Sequence, residues 1–418
     1  MEFGSISDLK KYLLMLEEKR HHPEDYVIGI EMEGALVDTE GKPLEVKELI
    51  PKLNSIYHDF EFDKEAGACQ IEIRTFPRKF SAESLREKEE YFMDVVEEIV
   101  EMAEKIHKTE AILLLLGANP HPDVLSDKWI TPSHRAKTMA QWRRNFPEVR
   151  VAGKSIKPEH IALAIQSMHI HIQGVSPDDV ADKYNRLLYM VPGQIAISAN
   201  SPIVGGNVVD YAEARLLLYE MADGGNAGLP KHRKYPISFL EYAQYIDSFS
   251  PILAQSLTEK VKERHEDNRI RLEVPFRVEN RVTPIQCTIK ENMAMIEYIV
   301  GRLKYAQRWS RMDYPSLKEI EVNRIEAIRK SLRGEFIWGG KSIDARDYLI
   351  QCIERAERGL EELDTKPRYI QCLKRRVKKK KASADVIRGW YRRGSEGDKI
   401  AYVINRVWEH TKKNRPII

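Results

Sequence analysis

Val27-Ile-Gly-Ile-Glu-Met-Glu33 and Met168-His-Ile-His-Ile172 decide how this chain is read. In each, two polar residues stand two positions apart between apolar ones. Residues i and i+2 of a β-strand point to the same face. Glu31 and Glu33 therefore share a face, as do His169 and His171. Two further stretches repeat the spacing: Gln70-Ile-Glu-Ile-Arg-Thr75, with Glu72 and Arg74, and Phe276-Arg-Val-Glu-Asn-Arg281, with Glu279 and Arg281. If the four strands share a sheet, one face is apolar and the other carries carboxylates, imidazoles and guanidiniums. Any one pair reads first as the wetted side of an amphipathic sheet. Four pairs drawn from Glu, His and Arg point instead to a site for hard divalent cations and phosphates. Glu65 adds another acid, seven residues before Glu72 across a turn at Gly67.

Working outward, residues 6–20 read as a helix, 26–37 as the first strand, and 59–76 as a hairpin. A long amphipathic helix follows. Leu85, Phe92, Val95, Val96, Ile99, Val100, Ala103 and Ile106 recur at three-and-four spacing, and Ser84 with Glu87 forms a capping box at its start. Leu113–Leu116 is a buried strand, 164–173 the His-x-His strand, and 177–199 a helix. Residues 205–235 are rich in Gly and Pro and read as an active-site loop. Residues 270–288 give strands, and the pattern is helical from about 290 onward. Strands with one polar face, separated by helices, suit an α+β architecture. A doubly wound sheet would need strands that are apolar on both faces.

The chain has 418 residues, 42% hydrophobic and 31% charged, with no apolar run long enough to span a membrane. With no signal-like opening, a cytoplasmic home is expected. The opening Met1–Ser5 is given no structural weight. None of the four cysteines sits in a Cys-x-x-Cys pattern, which argues against a structural zinc. Cys69, beside the site, reads as a small buried residue before it reads as a nucleophile.

Residues 301–418 carry 30 Lys+Arg against 16 Asp+Glu, and the first 300 carry 37 against 48. An acidic body, 1–300, thus joins a basic helical region, 301–418. Within the latter, Lys374-Arg-Arg-Val-Lys-Lys-Lys-Lys381 either contacts a polyanion or docks on the acidic body. Two Lys-Ser turns, Gly339-Gly-Lys-Ser342 and Gly153-Lys-Ser155, imitate a phosphate loop. Each has Glu where that loop needs Gly (Glu335 and Glu148), so both are set aside.

The succession Gly29-Ile-Glu-Met-Glu33, Gln70-Ile-Glu-Ile-Arg-Thr75, Leu116-Gly-Ala-Asn-Pro-His121, Met168-His-Ile-His171, Ile197-Ser-Ala-Asn-Ser-Pro202 and Val278-Glu-Asn-Arg281 resembles the glutamate–cysteine ligase type 2, or carboxylate–amine ligase, family. That family is related to glutamine synthetase, and the likeness runs over about residues 25–300. It implies a glutamine synthetase-like catalytic domain with a curved antiparallel sheet flanked by helices. It also implies ATP-dependent joining of a carboxylate, glutamate above all, to an amine through an acyl phosphate. By matching position, the resemblance assigns Glu31, Glu33, Glu65, Glu72, His169 and Glu279 to Mg²⁺ or Mn²⁺. It assigns Arg281 to the transferring phosphoryl group, and His171 to the nucleotide or to a supporting place behind the metal ligands (a structural hydrogen-bonding role fits it about as well). It assigns Arg74 and Arg215 to substrate carboxylates, with Arg215, on a helix at 211–221, reading nearly as well as a surface salt bridge. The chain departs from the pattern at Met32, at Gln173, and at Arg269–Val274, where an aromatic segment is usual. Two other functions stay open: phosphotransfer on a related sheet, and an RNA-binding or adaptor protein with a vestigial site. A homo-oligomer also stays open.

Overall fold

The computed structural model describes residues 1–19 and 26–418. Helix α1 runs Ile6–Lys19, and Arg20, expected at its end, lies outside the described residues. One sheet holds eight strands: β1 (Val27–Asp38), β2 (Phe60–Lys64), β3 (Gln70–Thr75), β4 (Arg78–Lys79), β5 (Ala111–Leu114), β6 (Met168–Gln173), β7 (Asn268–Arg271) and β8 (Arg277–Asn280). Their order is β7-β8-β6-β1-β3-β2, with β4 and β5 paired to opposite ends of the long β1. Every pairing is antiparallel. The α+β expectation holds.

Helices used below are α2 (Ala82–His107), α3 (His134–Arg143), α4 (Pro177–Ser198), α5 (Ala214–Ala222), α6 (Ile289–Ala306), α7 (Ala345–Glu362) and α8 (Gln371–Lys379). Alternation sends Ile28, Ile30, Met32, Ile71, Ile73, Met168, Ile170, Ile172, Ile270 and Val278 to one sheet face, all buried. They join a single core with the apolar stripes of α2, α4 and α6. The three-and-four spacing of α2 is thereby explained, but its cap is not the expected one. Ser81 is the N-cap and its hydroxyl accepts from Ser84 N, while Glu87 instead pairs with Arg78 at 3.1 Å.

Helix α5 lies inside the Gly- and Pro-rich 205–235 region and agrees with a helix read at 211–221 around Arg215. Two expectations fail locally. The helical run after residue 290 is broken by a hairpin, Glu335–Trp338 with Lys341–Asp344. Its turn is Gly339-Gly340, both at positive φ (58° and 73°), as a two-residue hairpin turn requires. Ala152 and Gly153 turn a second hairpin in the same way. The two Lys-Ser sequences that imitate phosphate loops are therefore hairpin turns. Finally, the opening residues are part of the fold. Phe3 is buried, its N–H donates to Thr258 Oγ1 (2.8 Å), and Glu2 bridges to Glu273.

The region after residue 300 packs on the sheet domain. Leu349, Cys352, Ile353, Ala356 and Leu360 of α7 and Leu373 and Val377 of α8 belong to the same core cluster as the sheet. Gly301 of α6 and Gly359 of α7 touch backbone to backbone, and a Cβ on either would collide with the other helix.

Candidate active site

Register brings the four sequence pairs onto one face. Glu31 stands opposite both Arg74 and His169, Glu33 opposite Glu72, and His171 opposite both Gly29 and Glu279. These side chains line or border a cavity of about 540 Å³ whose wall includes Glu65, Arg215, Tyr219, His265, Arg269, Arg271 and Arg281. All ten residues singled out from the sequence lie at this one site.

Contacts within the cluster are tight. His169 Nδ1 lies 2.9 Å from Glu31 Oε2, and His171 Nε2 lies 2.9 Å from Glu31 Oε1. Ser167 N and Oγ both donate to Glu33 Oε2, at 2.6 and 2.9 Å. Ser167 Oγ also lies 2.9 Å from His169 Nε2. Arg269 grips Glu279 in two parallel bonds of 2.7 and 2.9 Å, Arg271 adds a third contact at 3.3 Å, and Arg281 bonds the same carboxylate. Arg281 also reaches His169 Nδ1 at 3.3 Å.

Burial and charge divide the acids into two kinds. Burial lifts Glu65 to about 7, helped by the charge of Glu33. Burial also lifts Glu72 well above the usual carboxylate range, with Glu31 and Glu65 acting the same way. Burial raises Glu33 more moderately. Glu279 goes the other way. Burial opposes its ionisation, but Arg269 and Arg281 hold it well below the ordinary value. Glu31 is likewise held low against its burial by His171 and His169. His169 is pushed down to about 4 by burial and by Arg281, so it is neutral at pH 7.

Donor atoms fall into three groups, each within 4.8 Å: Glu33/Glu65/Glu72, Glu31/Glu72/His169, and Glu31/His171/Glu279. Carboxylate oxygens with one imidazole suit Mg²⁺ or Mn²⁺. Glu33, Glu65 and Glu72, whose carboxyls burial pushes above the usual range, are the donor set that such a cation relieves. His171, expected toward the nucleotide, stands inside one of these groups. Arg215 opens α5. It is buried, held by Glu213 Oε1 (3.0 Å) and donates to Val282 O (2.6 Å). Arg74 is more exposed and faces Glu72, Glu61 and Asp63 at 3.3, 3.1 and 3.3 Å. Cys69 is fully buried and its thiol is pushed up to about 12, so it is no nucleophile.

The sequence reading missed Ser167, Arg269, Arg271 and the group Arg143, Asp223 and His265. Arg269 and Arg271 carried a signal, the same i, i+2 spacing, but were read only as a departure from an aromatic pattern. Ser167 had none, because a serine at a strand start is unremarkable. Arg143, Asp223 and His265 come from separate segments that only the fold joins.

An antiparallel sheet with acids, imidazoles and guanidiniums converging on one face defines a site suited to divalent cations and phosphates. The family model for glutamate-cysteine ligase family 2 matches residues 27–398, and the chain belongs to that family. It is an ATP-dependent ligase. A Legionella pneumophila (strain Lens) protein provisionally named glutamate–cysteine ligase 2-2 is 23% identical over 403 residues, covering 93% of this chain and 95% of its own. A Cupriavidus metallidurans protein provisionally named glutamate–cysteine ligase 2 is 25% identical over 323 residues, covering 76% and 78%. The fold matches glutamate–cysteine ligase of Francisella tularensis, solved with AMP, at a TM-score of 0.61 and 13% identity, covering 93% of this chain and 89% of that one. It also matches a bifunctional glutathione synthetase from Pasteurella multocida at 0.57 and 14%, covering 98% and 53%.

Proposed function

We propose that the protein joins the γ-carboxylate of glutamate, or of a related acid, to an amine at the expense of ATP, through an acyl phosphate. The observation that carries this reading is the convergence of Glu31, Glu33, Glu65, Glu72, His169 and Glu279 beside Arg281 on one sheet face. A carboxylate is a poor acyl donor because oxide is a poor leaving group, and phosphorylation supplies a better one. Glu33, Glu65 and Glu72 would hold one cation, and Glu31, His169, His171 and Glu279, with Glu72 shared, would hold the rest. When bound, Mg²⁺ or Mn²⁺ neutralises the triphosphate and the transferring phosphoryl group.

The chain's own residues supply the remainder. Arg281, anchored on Glu279, would hold the transferring phosphoryl group with a charge that cannot be titrated away. Arg215, buried and fixed by Glu213, is preorganised for a substrate carboxylate. Arg74, at the more exposed edge, would take a second one. Ser167 holds Glu33 and His169 in place. His171 would serve the nucleotide through the donor group it shares with Glu31 and Glu279.

The test supplies ATP, MgCl₂, glutamate and each amino acid or amine in turn. ADP and phosphate are expected only when a carboxylate and an amine are both present, and mass spectrometry should find the amide. A phosphorylated product with no amide would establish the phosphotransferase instead. Glu31→Gln and Arg281→Ala should each abolish ADP release in folded protein, and unchanged turnover in both rejects these roles.

A further inference from the structure

The cavity that holds the acid cluster is lined also by a second titratable group that the reading above leaves without a task. His265 Nδ1 is 2.8 Å from Asp223 Oδ2, and Asp223 is fully buried. The other oxygen of Asp223 accepts from Arg143 Nε at 2.9 Å, and Arg143 in turn donates to Tyr219 OH at 2.9 Å. The backbone is fixed as well. His265 N donates to Asn226 O (2.8 Å) and His265 pairs with Ala227 in a short parallel bridge. The ring lines the cavity that holds Glu33, Glu65 and Arg281. Its Nε2 has no hydrogen-bond partner among the described residues.

Asp223 therefore fixes the proton on Nδ1 and leaves the Nε2 lone pair free toward the cavity. Asp223 stays ionised, since His265 and Arg143 hold its carboxyl below the usual range against its burial. The charged or titratable groups acting on the ring are Asp223, Arg143, Arg281 and, by ring contact at 5.3 Å, Tyr219. Burial, with Arg143 and Arg281, outweighs Asp223 and holds His265 at about 4, so the ring enters the reaction neutral. A neutral imidazole held in one tautomer by a carboxylate is the form that accepts a proton.

We propose that His265 Nε2, oriented by Asp223, is the proton acceptor for the acceptor amine during amide formation. This rests on the acyl-phosphate reading. An ammonium acceptor must lose two protons to become an amide N–H. One passes to His265 Nε2 and on to solvent. The nitrogen lone pair then forms the C–N bond, and the C–O bond of the acyl phosphate breaks with its electrons leaving on phosphate. The second proton departs with the phosphate. The ring passes this proton on to solvent and holds it only transiently, so what the step asks of His265 is that Nε2 be unprotonated and correctly oriented when the ammonium arrives.

The experiment compares two acceptors on one preparation of His265→Gln, with wild type alongside. One is the amino acid that the acceptor screen identifies, whose amine is protonated at neutral pH. The other is hydroxylamine, whose nitrogen is already unprotonated there. Amide formation with the amino acid should fall about 100-fold, while hydroxamate formation falls less than about 5-fold, the small loss expected where no proton acceptor is needed. Partial unfolding lowers both rates alike and cancels in their ratio. A ratio equal to that of wild type overturns the proposal. Wild type that releases no ADP with either acceptor overturns the ligase reading, and this inference with it.

Discussion

Glu72 and Glu279 are buried glutamates on the same sheet face, yet they meet opposite surroundings. Glu279 is the counter-charge of Arg269, Arg271 and Arg281. Removing its charge leaves buried guanidiniums uncompensated, which costs about 3–5 kcal/mol, so Glu279→Gln should melt far below wild type even without ATP. Glu72 sits among like charges, with Arg74 as its ion-pair partner. Glu72→Gln should melt at or above wild type in chelator and lose the rise that Mg²⁺ gives wild type; calorimetry of the two variants with and without MgCl₂ checks both. Glu65 sets a pH dependence. Its folded pKa of about 7 lies above the usual 4.5. Between those values the unfolded chain sheds a proton that the folded, metal-free protein keeps, so stability falls as pH rises through that window. A divalent cation displaces the proton, and its stabilisation should therefore grow between about pH 6 and about pH 8. A Mg²⁺-induced melting shift independent of pH across that range counts against a cation held by Glu65. The site's acids were legible because strand alternation converts spacing into shared facing with no tertiary information. Ser167 and the Asp223–His265 pair were not, because their partners stand 134 and 42 residues away.

At the scale of elements, legibility followed the strength of the local pattern. Strand β1 and helix α2 carry long, clean periodicities; β1 was readable to within a residue, and α2 is capped three residues before its expected cap. That cap was not readable, because Ser81 and Ser84 both precede apolar positions and spacing cannot say which residue leaves the helix. The fold chooses Ser81, whose extended backbone lets its hydroxyl accept from Ser84 N at 3.0 Å. Ser81→Ala should cost about 1 kcal/mol in urea unfolding. Ser84→Ala keeps that bond, made by its backbone N–H, and should cost clearly less; a larger loss at Ser84 would restore the expected capping box. Helix α5 was legible at 211–221 despite the glycines and prolines that flank it, and only its start was placed early, since the helix begins at Ala214. The hairpin at Glu335–Asp344 was hidden by the helices around it. Its Gly-Gly signal was read as a failed phosphate loop when the same two glycines serve a tight turn.

At the scale of the whole molecule, the charge contrast between residues 1–300 and 301–418 is partly consumed in the fold. Arg376, in the middle of the basic tract, is fully buried; it pairs with Glu291 at 2.8 Å and donates to Ile197 O and Gln286 Oε1 at 2.9 and 2.7 Å. Lys374 pairs with Glu357, and Lys380 with Asp344. Lys378, Lys379 and Lys381 remain exposed. Sequence alone could not sort these residues, since a basic run broken only by Val377 gives too little periodic signal to tell the turned-in residue from its neighbours. The helices that carry them share one core with the sheet, as the backbone contact of Gly301 with Gly359 also requires. Loosening this seam should therefore reach the active site, because α6, which carries Glu291, packs against α2 and α4 and shares one core with the sheet bearing Glu31 and His169. Arg376→Met, which leaves the Glu291 carboxylate buried without its partner, should cost about 3–5 kcal/mol. It should also lower ADP release at temperatures where wild type is fully active. Neutralising Lys378, Lys379 and Lys381 together should change stability by no more than about 0.5 kcal/mol per residue and leave turnover intact. If the triple change unfolds the protein while Arg376→Met does not, the seam is held by the exposed lysines and the packing account of this region is wrong.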